Sequence, residues 1–281
     1  MKKVIAFDIG GTNTRIALIN ERFEMEKEEI VPTKLGDTNV FLSSLDELIA
    51  HFDLKDVVAF GVGIPGVCNR ETGHIIDLPN VHIKDIPLGK HFQEKYGLKT
   101  FVRNDAEVAC LAEAVLGAGK DFDRVFFITI STGLGGALVI DKENQDYVTE
   151  IGHTAYIYKN HISEYEKLAG GTAGIPNLCE LNGLGRISAK EFFDLAQKGD
   201  SNAQRAFADW VNILSDFVHM IQNSYEPDII CVTGGVMKQK NLFFDKLIEL
   251  NPDSYIVECE LKENAGIYGA GVYALKMMKI I

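Results

Sequence analysis

The chain has 281 residues, of which 46% are hydrophobic and 24% charged, and a formal net charge of −12. That length exceeds the usual single hydrophobic core and implies two domains or two tightly joined lobes, while the composition excludes a disordered or fibrous chain. The acidic balance argues against a nucleic-acid partner, which needs clustered Lys and Arg to meet phosphates, and leaves a small soluble partner as the better fit.

The N-terminal run from Met1 reaches the charge of Asp8 after a few apolar residues, and no apolar stretch approaches membrane-spanning length. Neither a signal peptide nor a transmembrane helix is expected. Val4 to Phe7 and Arg15 to Ile19 read as two strands joined by Asp8-Ile9-Gly10-Gly11-Thr12-Asn13-Thr14, a hairpin with a polar tip. Val57 to Ile64 is a further strand, and Thr100 to Arg103 another that leads into a helix from Asp105 to Leu116. A second pair, Val125 to Ile130 and Gly136 to Ile140, surrounds Ser131-Thr132-Gly133-Leu134-Gly135. A displacement of 121 positions lays Asp8 over Thr129 and Thr12 over Gly133, a match of architecture more than of identity that suggests two similar lobes.

Farther on, Ser201 is expected to cap a long helix whose apolar stripe runs Ala203, Ala206, Phe207, Trp210, Leu214, Phe217, Val218 and Ile221, with Pro227 ending it. Ile229 to Thr233 is a buried strand broken by Gly234-Gly235, and helices Lys240 to Leu250 and Ala265 to Met278 finish the chain. Strands alternating with helices imply an α/β fold. The domains are placed at residues 1–117, completed by the C-terminal helix 265–281, and at 118–264. Cys68, Cys110, Cys179, Cys231 and Cys259 are far apart and set mostly among apolar residues, as reduced core thiols of a cytoplasmic protein would be.

Five stretches carry candidate chemistry. At Asp8-Ile9-Gly10-Gly11-Thr12 the glycines let backbone amides approach phosphate oxygens, Thr12 adds a hydroxyl, and Asp8 is placed to hold Mg²⁺ directly or through water; a plain hairpin tip is the alternative. Thr132 and Gly133 belong to a second such turn, and two of them at equivalent points of a duplicated architecture suit the clamping of one polyphosphate. Gly234 and Gly235 leave room for a flat base at the end of a strand, although a strand-to-helix turn explains them as well. Asn104-Asp105 stands between a strand and a helix, where Asp105 either caps the helix or is kept ionised to take a hydroxyl proton, two roles that do not exclude each other. Glu150-Ile151-Gly152-His153 and Glu166 offer donors and acceptors suited to sugar hydroxyls, a weak signal by itself.

The order of Asp8 to Thr12, Gly61-Val62-Gly63-Ile64-Pro65-Gly66, Asn104-Asp105, Gly133 to Gly136, Glu150 to His153 and Gly234-Gly235 resembles the ROK family of sugar kinases and repressors across nearly the whole chain. The resemblance implies an actin-like, ribonuclease-H-related duplicated fold of two lobes with a central cleft, closing on ATP, Mg²⁺ and a hexose that receives the γ-phosphoryl group on its 6-hydroxyl. It assigns sugar contacts to Gly66, Asn80, Asn104, Asp105, Glu150, His153 and Glu166, with Asp105 as the base, and it suggests a homodimer. Leu78-Pro79-Asn80 and His153 look glucokinase-like, while kinases of N-acetylmannosamine, other N-acetylhexosamines, fructose or allose remain alternatives. Three departures stand out. Residues 154–165 lack the cysteines of the family's zinc motif, so no zinc site is expected, Ala137 replaces a frequent glycine, and Glu107 replaces a frequent Asn. A sugar-sensing regulator of the same family needs a DNA-reading helix-turn-helix, for which the eight residues up to Asp8 leave no room. A non-catalytic nucleotide-binding module or filament subunit is the other rival.

Overall fold

The strand Lys3–Ile9 (β1) is buried on both of its faces, which requires layers on either side of its sheet. In the computed structural model, which describes residues 1–146 and 150–281, Ile5, Phe7 and Ile9 join one core with Ile16, Phe60 and Val62. Val4 and Ala6 join another with Ala17, Ile19, Ala59 and, from the C-terminal helix Ala265–Met277, Ile267, Ala270 and Ala274. That helix lies close on the sheet because Gly61 has no side chain: a β-carbon there would stand 2.0 Å from the Ala270 carbonyl oxygen.

By its contacts the chain divides into two units, Met1–Val115 with Glu263–Ile281, and Leu116–Lys262. In the first unit β2 (Asn13–Asn20), β3 (Met25–Pro32), β4 (Val57–Ile64) and β8 (Lys99–Asn104) complete a sheet of order β3-β2-β1-β4-β8. The first three strands are antiparallel neighbours, and β1, β4 and β8 run parallel. Helix α1 (Thr38–Ile49) precedes β4. Between β4 and β8 the chain forms a small antiparallel sheet, β5 (Val67–Asn69), β6 (His74–Leu78) and β7 (Ile83–Ile86), then helix α2 (Leu88–Tyr96). Helix α3 (Asp105–Val115) follows β8 directly.

The second unit repeats the plan. Its sheet has the order β11-β10-β9-β14-β15, built from β9 (Arg124–Ile130), β10 (Leu134–Ile140), β11 (Glu143–Asn144), β14 (Ile229–Thr233) and β15 (Ile256–Glu258). Displaced by 121 positions, Lys3–Ile9 falls on Arg124–Ile130, and the core-facing Ile5, Phe7 and Ile9 fall on Phe126, Ile128 and Ile130. Between β11 and β14 lie a hairpin, β12 (Ala155–Tyr158) with β13 (His161–Glu164), and helices α4 (Glu166–Ala169), α5 (Ile175–Leu181), α6 (Ala189–Gln197) and α7 (Ser201–Tyr225). Helix α8 (Lys240–Leu250) connects β14 to β15.

The stripe expected on α7 packs into this core around Trp210, whose indole N–H donates to the Ala169 carbonyl at 3.1 Å. Its cap differs from the expectation. Asp200, not Ser201, stands at the N-cap in extended conformation, and its carboxylate accepts from the Asn202 and Ala203 amides at 3.0 and 2.9 Å. Ser201 is instead the first helical residue. No helix among the described residues is long and apolar enough to cross a membrane.

Candidate functional site

In the first unit the parallel strands bring their carboxyl ends to one edge, the place where open α/β sheets hold ligands. Asp8 of β1 is in register with Gly63 of β4, Gly63 with Arg103 of β8, and Ile64 with Asn104. Asp8 and the Asn104-Asp105 junction are therefore two strand spacings apart, about 10 Å. Asp8 is partly buried, and desolvation raises its pKa against the opposing pull of Arg15. Its carboxylate lies against the first turn of the C-terminal helix, where a β-carbon on Gly266 would stand 2.6 Å from Oδ2. No described residue donates a hydrogen bond to that carboxylate, which leaves a partly buried acceptor suited to a cation.

Asp8, Gly10, Gly11, Thr12 and Arg15 line one cavity of about 660 Å³, with Glu28, Glu263 and Asn264 on its walls. The turn is closed by the Gly10 amide donating to the Asn13 carbonyl at 2.8 Å, and it is braced by Thr33, the residue after β3, whose hydroxyl donates to the Gly10 carbonyl at 2.6 Å. Arg15 ties this wall together: its guanidinium donates to Glu28 and to Asn264 Oδ1, the latter at 2.7 Å. The tip of the turn touches Asn80, because a β-carbon on Gly11 would lie 2.9 Å from Asn80 Cβ. Gly66 makes room for β6, whose following turn carries Asn80: a β-carbon there would stand 2.2 Å from the Asp77 carbonyl oxygen.

At the start of α3 the Ala106 amide is shared by Asn104 Oδ1 at 2.9 Å and Asp105 Oδ1 at 2.8 Å. Asn104 thus does part of the capping, and Asp105 occupies the first helical position, where backbone amides favour an anion. Behind them Glu107 is buried and ion-paired to Arg103 at 3.0 Å and Arg70 at 2.8 Å. The replacement of a frequent Asn by Glu107 is accounted for by these two guanidinium groups.

In the second unit the corresponding turn is closed by the Ser131 amide donating to the Gly133 carbonyl at 3.0 Å. The Thr132 carbonyl accepts from the Thr172 and Ala173 amides at 3.1 and 2.9 Å, which fastens the turn to the segment after α4. Gly133 packs on Glu166: a β-carbon on it would meet the carboxyl group at 2.8 Å. Gly152 joins this cluster against Leu134 and the Glu166 side chain. Glu150 is exposed with a left-handed φ of 52°, and Ile151–His153 make one turn of 3₁₀ helix that presents His153. His153 Nδ1 lies 2.7 Å from Glu164 Oε2, and that hydrogen bond is the main cause of a raised imidazole pKa, opposed by burial and aided by the charges of Glu166 and Glu150.

Gly234 and Gly235 differ in what surrounds them. Gly234 has φ of 109°, and a β-carbon there would stand 2.3 Å from the Ile130 carbonyl oxygen, so its bareness serves the packing of β14 on β9. Gly235 has open space around its α-carbon, which makes it the member of the pair able to receive a flat group.

Three residues at these sites escaped the sequence reading. Glu164 and Gly266 meet their partners only through the fold, although Ala265-Gly266 at a helix start was a visible small-residue signal. Arg15 was visible merely as a strand residue.

The architecture and the ordered motifs agree with relatives of established name. A glucokinase from Thermotoga maritima is 24% identical, over 95% of this chain and 96% of that one. A ROK hexokinase structure from Thermus thermophilus superposes with a TM-score of 0.88 at 24% identity, covering 99% of this chain and 100% of that one. A ROK family glucokinase from Streptomyces griseus, solved with glucose and AMPPNP, superposes with a TM-score of 0.75 at 23% identity, covering 98% and 99%. The duplicated α/β fold is accordingly the actin-like ATPase fold of these structures. Relatives named as repressors also occur, among them a xylose repressor. The sequence profile of the ROK family matches residues 4–276, and with its motifs placed on duplicated sheets in this way the chain belongs to the ROK family.

Proposed function

We propose that the protein is an ATP-dependent hexose kinase that transfers the γ-phosphoryl group of MgATP to the 6-hydroxyl of a hexose, glucose being the first candidate. The observation that carries this reading is repeated in each unit. A Gly turn with amides suited to phosphate packs directly on a side chain suited to sugar hydroxyls, Gly11 on Asn80 and Gly133 on Glu166.

Asp105 is the group that takes the proton from the attacking hydroxyl, its anion favoured by the amides at the start of α3. Asn80, Asn104, Glu150, His153 and Glu166 orient the sugar, and Gly66 sets β6, the strand before the turn that carries Asn80. Gly10, Gly11, Thr12, Thr132 and Gly133 offer amide and hydroxyl donors to the phosphates, and Gly235 takes the base, with Gly234 holding its turn. Asp8, a partly buried carboxylate without a hydrogen-bond donor among the described residues, would hold Mg²⁺ directly or through water. When bound, Mg²⁺ neutralises charge on the phosphates and helps orient them.

Phosphorus NMR of the products tests this reading. The protein is incubated with MgATP and, separately, glucose, mannose, N-acetylmannosamine, N-acetylglucosamine, fructose and allose. A 6-phosphate ester from glucose is the expected product; an ester from N-acetylmannosamine alone would move the substrate, and no ester from any of them would sink the reading.

A further inference from the structure

His153 is half exposed on a short turn, and such an imidazole keeps several orientations unless one ring nitrogen is held. In this chain Nδ1 lies 2.7 Å from Glu164 Oε2. A carboxylate only accepts, so Nδ1 carries the hydrogen and Nε2 is the nitrogen left for a ligand. Nε2 lies 3.6 Å from Glu150 Oε2, beyond hydrogen-bond distance. The other oxygen of Glu164 accepts from Lys167 Nζ at 2.9 Å, so both ends of the carboxylate are engaged.

Glu164 itself comes from an anchored element. The hairpin β12–β13 is fastened to α7 by the Tyr156 hydroxyl donating to Asp216 at 2.6 Å, by the Tyr158 hydroxyl donating to Asp209, and by Lys159, 3.3 Å from Asp209. Asp209 and Asp216 are two turns apart on one face of that helix, so the hairpin is held along its length.

We propose that Glu164 is a positioning residue, which fixes the His153 ring through Nδ1 and so presents Nε2 to a hydroxyl of the sugar. The proposal rests on the kinase reading above. Three carboxylates, Glu150, Glu164 and Glu166, act on the ring, and Lys167 balances Glu164. Because the folded imidazole pKa is raised from its ordinary 6.5, the charged form persists at pH values where a free histidine is already neutral. The His153–Glu164 pair thus adds stability that is complete below the ordinary value and lost as pH rises through the raised one.

The test follows the His153 ring by nitrogen-edited NMR through a pH titration, in the wild-type protein and in Glu164→Gln and Lys167→Met variants, beside steady-state kinetics with glucose, or with N-acetylmannosamine if glucose is inert. Glu164→Gln should lower the imidazole midpoint, mix the two tautomers and raise KM for the sugar about tenfold, with kcat changing less than about threefold. Lys167→Met removes the ion pair but leaves the imidazole contact, and should preserve both the tautomer and KM. An unchanged tautomer and midpoint in Glu164→Gln, or a fall in kcat at constant KM, would overturn the role given to Glu164. A wild-type protein that phosphorylates no hexose overturns the kinase reading itself, a result distinguishable from the first because it precedes any substitution.

Discussion

A carboxylate at the first position of a helix can be a cap, a base or both, and at the start of α3 the capping is shared, because the Ala106 amide donates to both Asn104 and Asp105. Asn104 supplies a neutral acceptor, so the start of α3 keeps a partner when Asp105 is changed. Asp105→Asn should therefore lower turnover about 10²- to 10⁴-fold, the contribution of a positioned general base, while sugar affinity and melting temperature change little. Near-normal turnover with a much lower melting temperature would make Asp105 a structural residue only. At this scale the sequence disclosed residue types rather than meetings. The strand-to-helix junction at Asn104-Asp105 was legible because hydrophobic period and capping chemistry are local. The contacts of Gly11 with Asn80, Asp8 with Gly266 and His153 with Glu164 depend on chain reversals that no local pattern encodes.

Among elements, the two Gly-rich hairpins were legible because a period-two run, a Gly turn and a second run specify their own pairing. The hairpin of residues 155–164 was not. The resemblance directed attention to missing cysteines there, while the tyrosines, lysine and acidic residues that fasten it lie far apart in sequence. β3 was hidden for a different reason: Met-Glu-Lys-Glu-Glu-Ile-Val-Pro is an edge strand with an exposed polar face, so its composition resembles a loop. The turn after β14 offers a test at this scale, since its adjacent glycines have different surroundings. Gly234→Ala places a methyl group against the Ile130 backbone at a left-handed φ and should cost roughly 2 to 4 kcal/mol of stability by denaturant unfolding. Gly235→Ala meets open space and should leave stability within about 0.5 kcal/mol, yet raise KM for ATP roughly tenfold if the base lies there. Equal destabilisation by both substitutions, without a change in KM, would remove Gly235 from the nucleotide site.

For the whole molecule, duplication was the most informative property of the sequence, and the displacement of 121 positions that lays one hairpin on the other also lays β1 on β9 residue for residue. Both sheets have three antiparallel strands extended by two parallel ones, so each unit has a carboxyl edge and a Gly turn beside it. What the duplication does not dictate is the chemistry. The Asp8 position in the first unit is Thr129 in the second, and Glu166 has its place in an insertion between β11 and β14. The same scaffold thus carries different groups in the two units, Asp8 and Asp105 in the first and the packing of Gly133 and Gly152 on Glu166 in the second. The central claim is that the γ-phosphoryl group of ATP leaves for a sugar hydroxyl and not for water, and the most direct measurement is ADP release from MgATP by the purified protein with and without glucose. The account predicts slow release alone and a rise of at least about 100-fold with a saturating hexose, since the attacking hydroxyl must be positioned for transfer. Release at the same rate with and without every hexose of the panel would contradict it.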